Sequence, residues 1–421
     1  MYHKVNLYSS LQATENKERD VLFFFLGAVA YLFGIIVAYK VSPSLSQLIQ
    51  ASALVPVFFY GNKIISVQTD EPYFKLLFTV FMISNVFIIL RIEGFSYVKF
   101  KDYLFSDFRL WPYIVPFTAF FTRKSFFFYW LFRIIFWLGI TYLFISVVLW
   151  RDYKASPAIA EQAIWIFSSA SGLVLLTWTY HNAIRKLVAV VGIVLSLYVS
   201  ALLARRNIIL TGGCFIAFSY LAYLAFEQGH ATKKFLSLYI FGIMIIAGAA
   251  FFSANKNSSF KLLAGRVKDD TREYVFDQYF ISMENNMWFG KGIDGTYYCP
   301  LVTEDINVDP VEYRDLIECG YLQVMLKGGI TNLVLLLAIL VSAAIIGIFF
   351  SKNMFTKGCG IMICLWLIDM GPYGLPTFSM RYILVWICVG VCFDKKIRLA
   401  GEETIRNLIW LAPNHSHTLN K

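Results

Sequence analysis

Residues 126–149 read FFFYWLFRIIFWLGITYLFISVVL, and Arg133 alone interrupts that run with a charge. A helix rises 1.5 Å per residue, so about 20 apolar residues cross a ~30 Å hydrocarbon core. This stretch is long enough to do so. Comparable apolar runs occupy 21–40, 46–60, 74–91, 104–121, 158–180, 187–204, 207–227, 235–253, 328–350, 358–372 and 379–393. Together they predict an all-α, polytopic membrane protein of about 12 transmembrane helices. The run at 104–121 contains Pro112 and Pro116 and reads either as a span or as a re-entrant segment. The run at 358–372 ends in Gly371-Pro372-Tyr373-Gly374-Leu375-Pro376, which predicts a break near the membrane surface.

Composition points the same way. Hydrophobic residues make up 58% of the 421 and charged ones 15%, against roughly 45–50% and about 25% in soluble domains. Mean hydropathy is +0.62. The net charge of +10 is scattered through short inter-helix loops. That distribution argues against a nucleic-acid partner and for anionic lipid headgroups or a phosphate-bearing lipid. The first twenty residues are polar and the run beginning at Val21 can span, so no cleavable signal peptide is expected.

Lys and Arg in short loops orient the chain. With the N-terminus inside, Lys63/Lys75, Arg123/Lys124, Arg185/Lys186, Lys233/Lys234, Lys352/Lys357 and Lys395/Lys396/Arg398 are cytoplasmic. The expected organisation is a cytoplasmic N-terminus at 1–20, spans one to nine within 21–253, a large outer loop at 254–327, spans ten to twelve within 328–393, and a cytoplasmic tail at 394–421. A short interfacial helix is expected from Glu402 to Leu411. Arg205-Arg206 breaks the charge rule by falling outside, which suggests a task other than orientation.

The chemistry available outside is limited. No Gly-rich phosphate loop is present, which argues against an ATP-driven motor. None of His3, His181, His230, His415 and His417 lies on the outer side, so a Ser-His-Asp or zinc hydrolase there is excluded. Guanidinium groups remain: Arg205, Arg206, Arg266, Arg272, Arg314 and Arg381. Converging, they would hold phosphate oxygens bidentately; taken singly, each can pair with a local carboxylate such as Asp269, Asp270, Glu273 or Asp315, or with headgroups. Glu318, at the end of the loop, is either a base at the rim of a low-dielectric cavity or a charge complementing a helix N-terminus. Trp288 and Tyr297, Tyr298 and Tyr313 could stack on sugar rings or pack the loop. Cys299 and Cys319 share the loop, and a disulfide and two separate thiols both fit their spacing. The other five cysteines fall in apolar segments as packing.

These features resemble the O-antigen polymerase and O-antigen ligase superfamily of bacterial envelope glycosyltransferases. Arg206 heads the helix 207–226, as that family's first Arg does, with Arg205 beside it. Arg272 is followed by Phe276, then by Met287-Trp288-Phe289-Gly290-Lys291-Gly292, where Met287 replaces the usual Pro. Glu318-Cys319-Gly320-Tyr321-Leu322-Gln323 then leads to Gly328-Gly329. The motif resemblance covers about 205–330, the remainder resembling only in topology. Ligases of the family carry a His where this chain has Glu318, which tilts the resemblance toward polymerases.

The resemblance implies a GT-C-like helical bundle in the bacterial inner membrane, with both termini cytoplasmic. It implies inverting transfer of a repeat unit from an undecaprenyl-diphosphate-linked oligosaccharide at the periplasmic face, in O-antigen (lipopolysaccharide) or capsule synthesis. Arg206 and Arg272 would grip the diphosphate. Arg205, Arg266, Arg314, Arg381, Trp288 and Tyr321 would line the substrate site, and Glu318 would act as base. No metal or cofactor is implied; the partners would be the lipid-linked substrate, membrane lipids and a chain-length regulator protein. A ligase acting on a lipid A-core acceptor, and a transporter or flippase of lipid-linked oligosaccharides, are the alternatives.

Overall fold

The computed structural model describes residues 2–66, 71–94, 96–123, 126–203, 205–226, 272–300 and 312–410, without the side chains of 2–18, 154–155, 226 and 272. The predicted span at 235–253, Arg266, residues 254–271 and 301–311 of the large loop, and the tail beyond Trp410 lie outside the described residues. The protein is an all-α membrane protein. Among the described residues, seven helices are each long and apolar enough to cross a bilayer, and Met380–Phe393 is a shorter apolar helix.

The chain begins with a hairpin, α1 (Tyr2–Lys40) and α2 (Pro43–Ile64). Ser42 starts α2 by accepting the Leu45 N–H, while Pro43 supplies a preset φ at the first helical position. The polar N-terminus, expected as a separate segment, is helical from Tyr2 and runs into the first span without a break. Next come α3 (Pro72–Leu90), α4 (Tyr97–Phe105), α5 (Trp111–Ile114) with a 3-10 turn at Val115–Phe120, α6 (Phe127–Val148) and α7 (Trp150–Ala155). The prolines break the fourth apolar run into α5 and the 3-10 turn. The segment nevertheless passes from one polar end of the bundle to the other: Phe378 N–H donates to Asp107 O at 2.9 Å, and Ser66 N–H to Phe120 O at 3.1 Å.

The run at 158–180 divides into α8 (Pro157–Ala163), a π-turn at Ile164–Ser168, α9 (Ser171–Leu176) and a 3-10 turn at Trp178–Tyr180. Then follow α10 (Ala183–Leu202), α11 (Arg206–Phe226), α12 (Arg272–Met283), the two-residue strands β1 (Tyr297–Tyr298) and β2 (Tyr313–Arg314), α13 (Gly320–Phe349), α14 (Met354–Asp369), α15 (Met380–Phe393), α16 (Lys395–Arg398) and α17 (Glu402–Trp410).

Contacts define two polar ends. At the tail end, Arg123 pairs with Asp394 at 2.8 Å and Arg398 with Glu71 at 2.9 Å. There α17 lies back on the bundle, burying Ile405 and Ile409 one turn apart. Tyr180 is its fastening point: its hydroxyl donates to Glu402 and accepts the Phe355 N–H, and its carbonyl accepts Trp410 Nε1 at 2.6 Å. At the loop end, Lys40 pairs with Asp152, and the Gly320 N–H donates to Met370 O at 2.8 Å.

The helix expected at 328–350 begins earlier, at Gly320, and breaks at Gly329, whose φ of 69° and ψ of −173° are open essentially to glycine alone. The break receives the turn 287–292. Lys291 N–H donates to Leu326 O (2.8 Å), Gly292 N–H to Lys327 O (2.9 Å), Ile330 N–H to Met287 O (2.8 Å) and Thr331 N–H to Trp288 O (3.2 Å). Backbone meets backbone so closely that a Cβ on Gly290 would lie 2.5 Å from the Lys327 carbonyl carbon. The glycines of the two motifs thus serve one joint, which stitches loop to span. Deleting side chains there is how the opened helix regains partners for its backbone groups.

Candidate functional site

The described part of the large loop has its own small core, in which Tyr279, Met283, Tyr297, Cys299, Ile317 and Leu326 are buried. β1 and β2 pair antiparallel, Tyr297 opposite Arg314 and Tyr298 opposite Tyr313. Four cations fasten this unit to the bundle, Lys99 through Asp294 and three others. Arg91 donates to the carbonyls of Phe289 (2.7 Å) and Gly290 (2.8 Å). Arg109 pairs with Asp315 (2.9 Å) and Asp102 (2.8 Å). Lys327, buried in the break of α13, donates to Ile293 O (3.1 Å) and Gly295 O (2.8 Å).

Asp294 is the matching anion, accepting from the Tyr103 hydroxyl, the Glu93 N–H and Lys99. Burial alone would raise its carboxyl, but these hydrogen bonds outweigh it and hold the group below the ordinary carboxylate value. A depressed folded value means that the anchor is intact above the ordinary range and is lost as pH falls through the folded value, below about 4. Amide protection across 287–300, taken relative to intrinsic exchange at each pH, should therefore stay flat from pH 7 to 5 and drop in acid. In Asp294→Asn, exchange should already be fast at pH 6 and lack the acid step.

Beside this unit, at the loop end of the bundle, is a narrow pocket with about 30 Å³ of free space, its wall including Asp107, Gln162, Trp165, Asp369, Tyr373 and Arg381. Arg381, at the start of α15, is 1% exposed and donates to Asp369 Oδ2 at 2.6 Å. Asp369, at the end of α14, also accepts Thr211 Oγ1 at 2.6 Å. The guanidinium lies 5.0 Å from the ring centre of Trp366 and 5.3 Å from that of Trp165, cation–π distances that help to keep a charge in a dry place. Its Nε and Nη2 have no hydrogen-bond partner among the described residues. Buried donors of that kind are costly, and a ligand oxygen would satisfy them.

The π-turn puts Trp165 in this wall, stacked on Tyr373 with centroids 5.7 Å apart. π-bulges recur at functional sites because the extra residue re-aims a side chain. Asp107 enters from the turn between α4 and α5, and no ion pair holds its carboxylate among the described residues. Burial and the charges of Asp107, Glu161, Glu318 and Asp369 all push the Tyr373 phenol upward. Carboxylates from four segments therefore act on one phenol.

The expected site residues divide by position. Arg381 lines the cavity, but it arrives neutralised by Asp369. Arg205 is paired with Glu161, the neighbour of the cavity residue Gln162. Arg206 opens α11, the helix that carries Thr211. Arg272 opens α12, with its side chain outside the described residues. Glu318 lies close enough to act on Tyr373, because Gly320 is packed against the Tyr373–Gly374 backbone.

Others lie elsewhere. Arg314 is on β2, opposite Tyr297. Tyr321 donates to Leu367 O at 2.5 Å, joining α13 to α14. Trp288 is 67% exposed and belongs to the joint, where its carbonyl accepts the Thr331 N–H. Cys299 and Cys319 are two free buried thiols, not a disulfide. Cys319 Sγ turns to the carbonyl of Met370, while Cys299 packs in the loop core beside Tyr279. Sequence reasoning missed Asp107, Gln162 and Trp165; a lone carboxylate ahead of a proline-broken apolar run was the available signal for the first.

No protein-family model, curated protein or solved structure matches this chain.

Proposed function

We propose that this protein is a glycosyltransferase that polymerises lipid-diphosphate-linked oligosaccharide repeat units at the outer face of a bacterial inner membrane. The observation that carries the reading is the composition of the loop-end cavity. It combines a guanidinium with unused donors, a carboxylate without a counter-ion and a stacked Trp165–Tyr373 pair, under a loop bearing the Arg272 and Glu318 motifs. Those are the groups that a sugar with a diphosphate leaving group requires: donors for oxygen, a proton acceptor and a flat apolar wall.

In this scheme an acceptor hydroxyl attacks the anomeric carbon as the bond from that carbon to the diphosphate oxygen breaks. The hydroxyl proton passes to a carboxylate, Glu318 or Asp107, and the charge left on the lipid diphosphate is met by Arg206 and Arg272. Arg381 presents its spare N–H groups to the sugar, with Asp369 fixing its orientation. Membrane lipids and a chain-length regulator protein are the partners of such an enzyme. Attachment of finished polymer to a lipid A-core acceptor, the ligase reaction, would use the same groups.

Arg272→Ala and Glu318→Gln should each cut polymer at least about 100-fold, measured as chain-length ladders from cells with normal membrane levels of the protein. Asp107→Asn, run alongside, identifies the proton acceptor. Full ladders in both of the first two variants would remove the catalytic assignment. The buried Asp369–Arg381 pair also favours a second reading, a transporter of lipid-linked sugar, since intramembrane charges often mark substrate paths. A transporter defect would leave repeat units on the inner leaflet, and a polymerase defect would leave single units on the outer leaflet.

A further inference from the structure

At the tail end, on α6 and the first turn of α10, lie three cations, none of them paired with a carboxylate among the described residues. Arg133 of α6 is exposed and gives one guanidinium nitrogen to the Tyr129 hydroxyl at 2.6 Å. Arg185 lies in the first turn of α10, 4.1 Å over the ring of Trp410, with no hydrogen-bond partner for its buried Nη1 among the described residues, and within electrostatic reach of Arg133. Lys186 sits 4.8 Å over Trp178. None of the three is in an ion pair among the described residues. Glu402, on the helix that carries Trp410, has both oxygens engaged, by the Tyr180 hydroxyl and the Met354 N–H. The N-terminus of α10 adds its own positive end.

Like charges gathered in this way need an anion. Charges that served only to orient the chain would sit in water, whereas these lie against Tyr129, Trp130, Trp178 and Trp410. What leads away from them identifies the anion's other half. Along α6 the helical spacing carries the exposed face from Arg133 to Trp137, Phe144 and Val148; along α10 it carries it from Ile184 to Leu187 and Val194. The two helices touch where a Cβ on Gly139 would come within 2.7 Å of Val188. A charged end thus continues into exposed apolar residues on each of two packed helices. We infer that this face binds an anionic phospholipid, its phosphate held by Arg133, Arg185 and Lys186 and its acyl chains laid along α6 and α10.

Native mass spectrometry of the whole protein, released from neutral detergent, tests this with phosphatidylglycerol and phosphatidylcholine as probes. One phosphatidylglycerol should be retained per chain, at least about tenfold more tightly than phosphatidylcholine. Arg133→Gln with Lys186→Gln should lose that preference, and Arg133→Lys should keep it. Equal retention of the two lipids by the unaltered protein overturns the proposal, as does undiminished preference in a well-folded double variant. So does displacement of phosphatidylglycerol by millimolar inorganic phosphate, since the site would then recognise phosphate without the lipid. If the double variant does not fold, the two-lipid comparison and Arg133→Lys decide.

Discussion

Replacing Arg381 with methionine should cost about 3–5 kcal/mol, because it leaves Asp369 charged or protonated in a dry site with one of its two partners gone. The pair is 1% and 2% exposed, and Thr211 alone would remain to hold the carboxylate. Methionine keeps most of the stem volume against Trp165 and Trp366, so the loss reports the charge and not a cavity. The decisive measurement is a thermodynamic cycle. Asp369→Leu should be similarly destabilising, leaving a guanidinium with no oxygen, whereas Asp369→Leu with Arg381→Met should recover most of the stability. Thr211 would still donate to Asn207 O in the double variant. Additive losses would mean that the two side chains act separately and that the pair does not hold the ends of α14 and α15 together. Under the proposed chemistry, the recovered double variant should still make no polymer, because the donors at the cavity wall have gone.

Gly329→Ala is the second large expectation. The left-handed φ at that position costs a residue with a side chain about 1–3 kcal/mol. The new Cβ would also lie 2.3 Å from the carbonyl carbon and oxygen of Trp288, so the joint must open as well. A total of about 3 kcal/mol or more is expected. It should appear locally, as rapid exchange of the Lys291, Gly292, Ile330 and Thr331 amides that now donate across the joint. Gly213→Ala is the matched control, since it lies in α11 with nothing within 4 Å of an added Cβ. An alanine at 329 that leaves those amides protected would show that the break in α13 is not required to seat the loop.

How much of this was readable in the chain depends on the range of each interaction. Long apolar runs announce helices because each is a local property of about 20 residues, and the helices at 127–148 and 183–202 lie close to the runs that predict them. The break in α13 was not readable. Gly328-Gly329 sits in an apolar run, and only the arrival of the turn 287–292 makes the left-handed residue necessary. Trp165 was missed for the same reason, since a π-turn exists only in hydrogen-bond register. Arg381 was read as an outer cation, and Asp369 lies within the apolar run 358–372. Their pairing depends on residues 370–379 doubling back, which spacing along the chain does not report. Arg205 was read as a phosphate ligand, and its partner Glu161 is too distant in sequence to be foreseen.

The strap formed by α17 also sets an order of assembly. Everything that it touches, from the turn at Tyr180 to the start of α14 at Met354, is synthesised before it. During translation the Tyr180 hydroxyl and carbonyl must therefore wait, wetted or covered by some other chain, until residues 402–410 leave the ribosome. A stalled product ending near residue 400 should be inserted yet recognisable to membrane quality control by that unlatched corner.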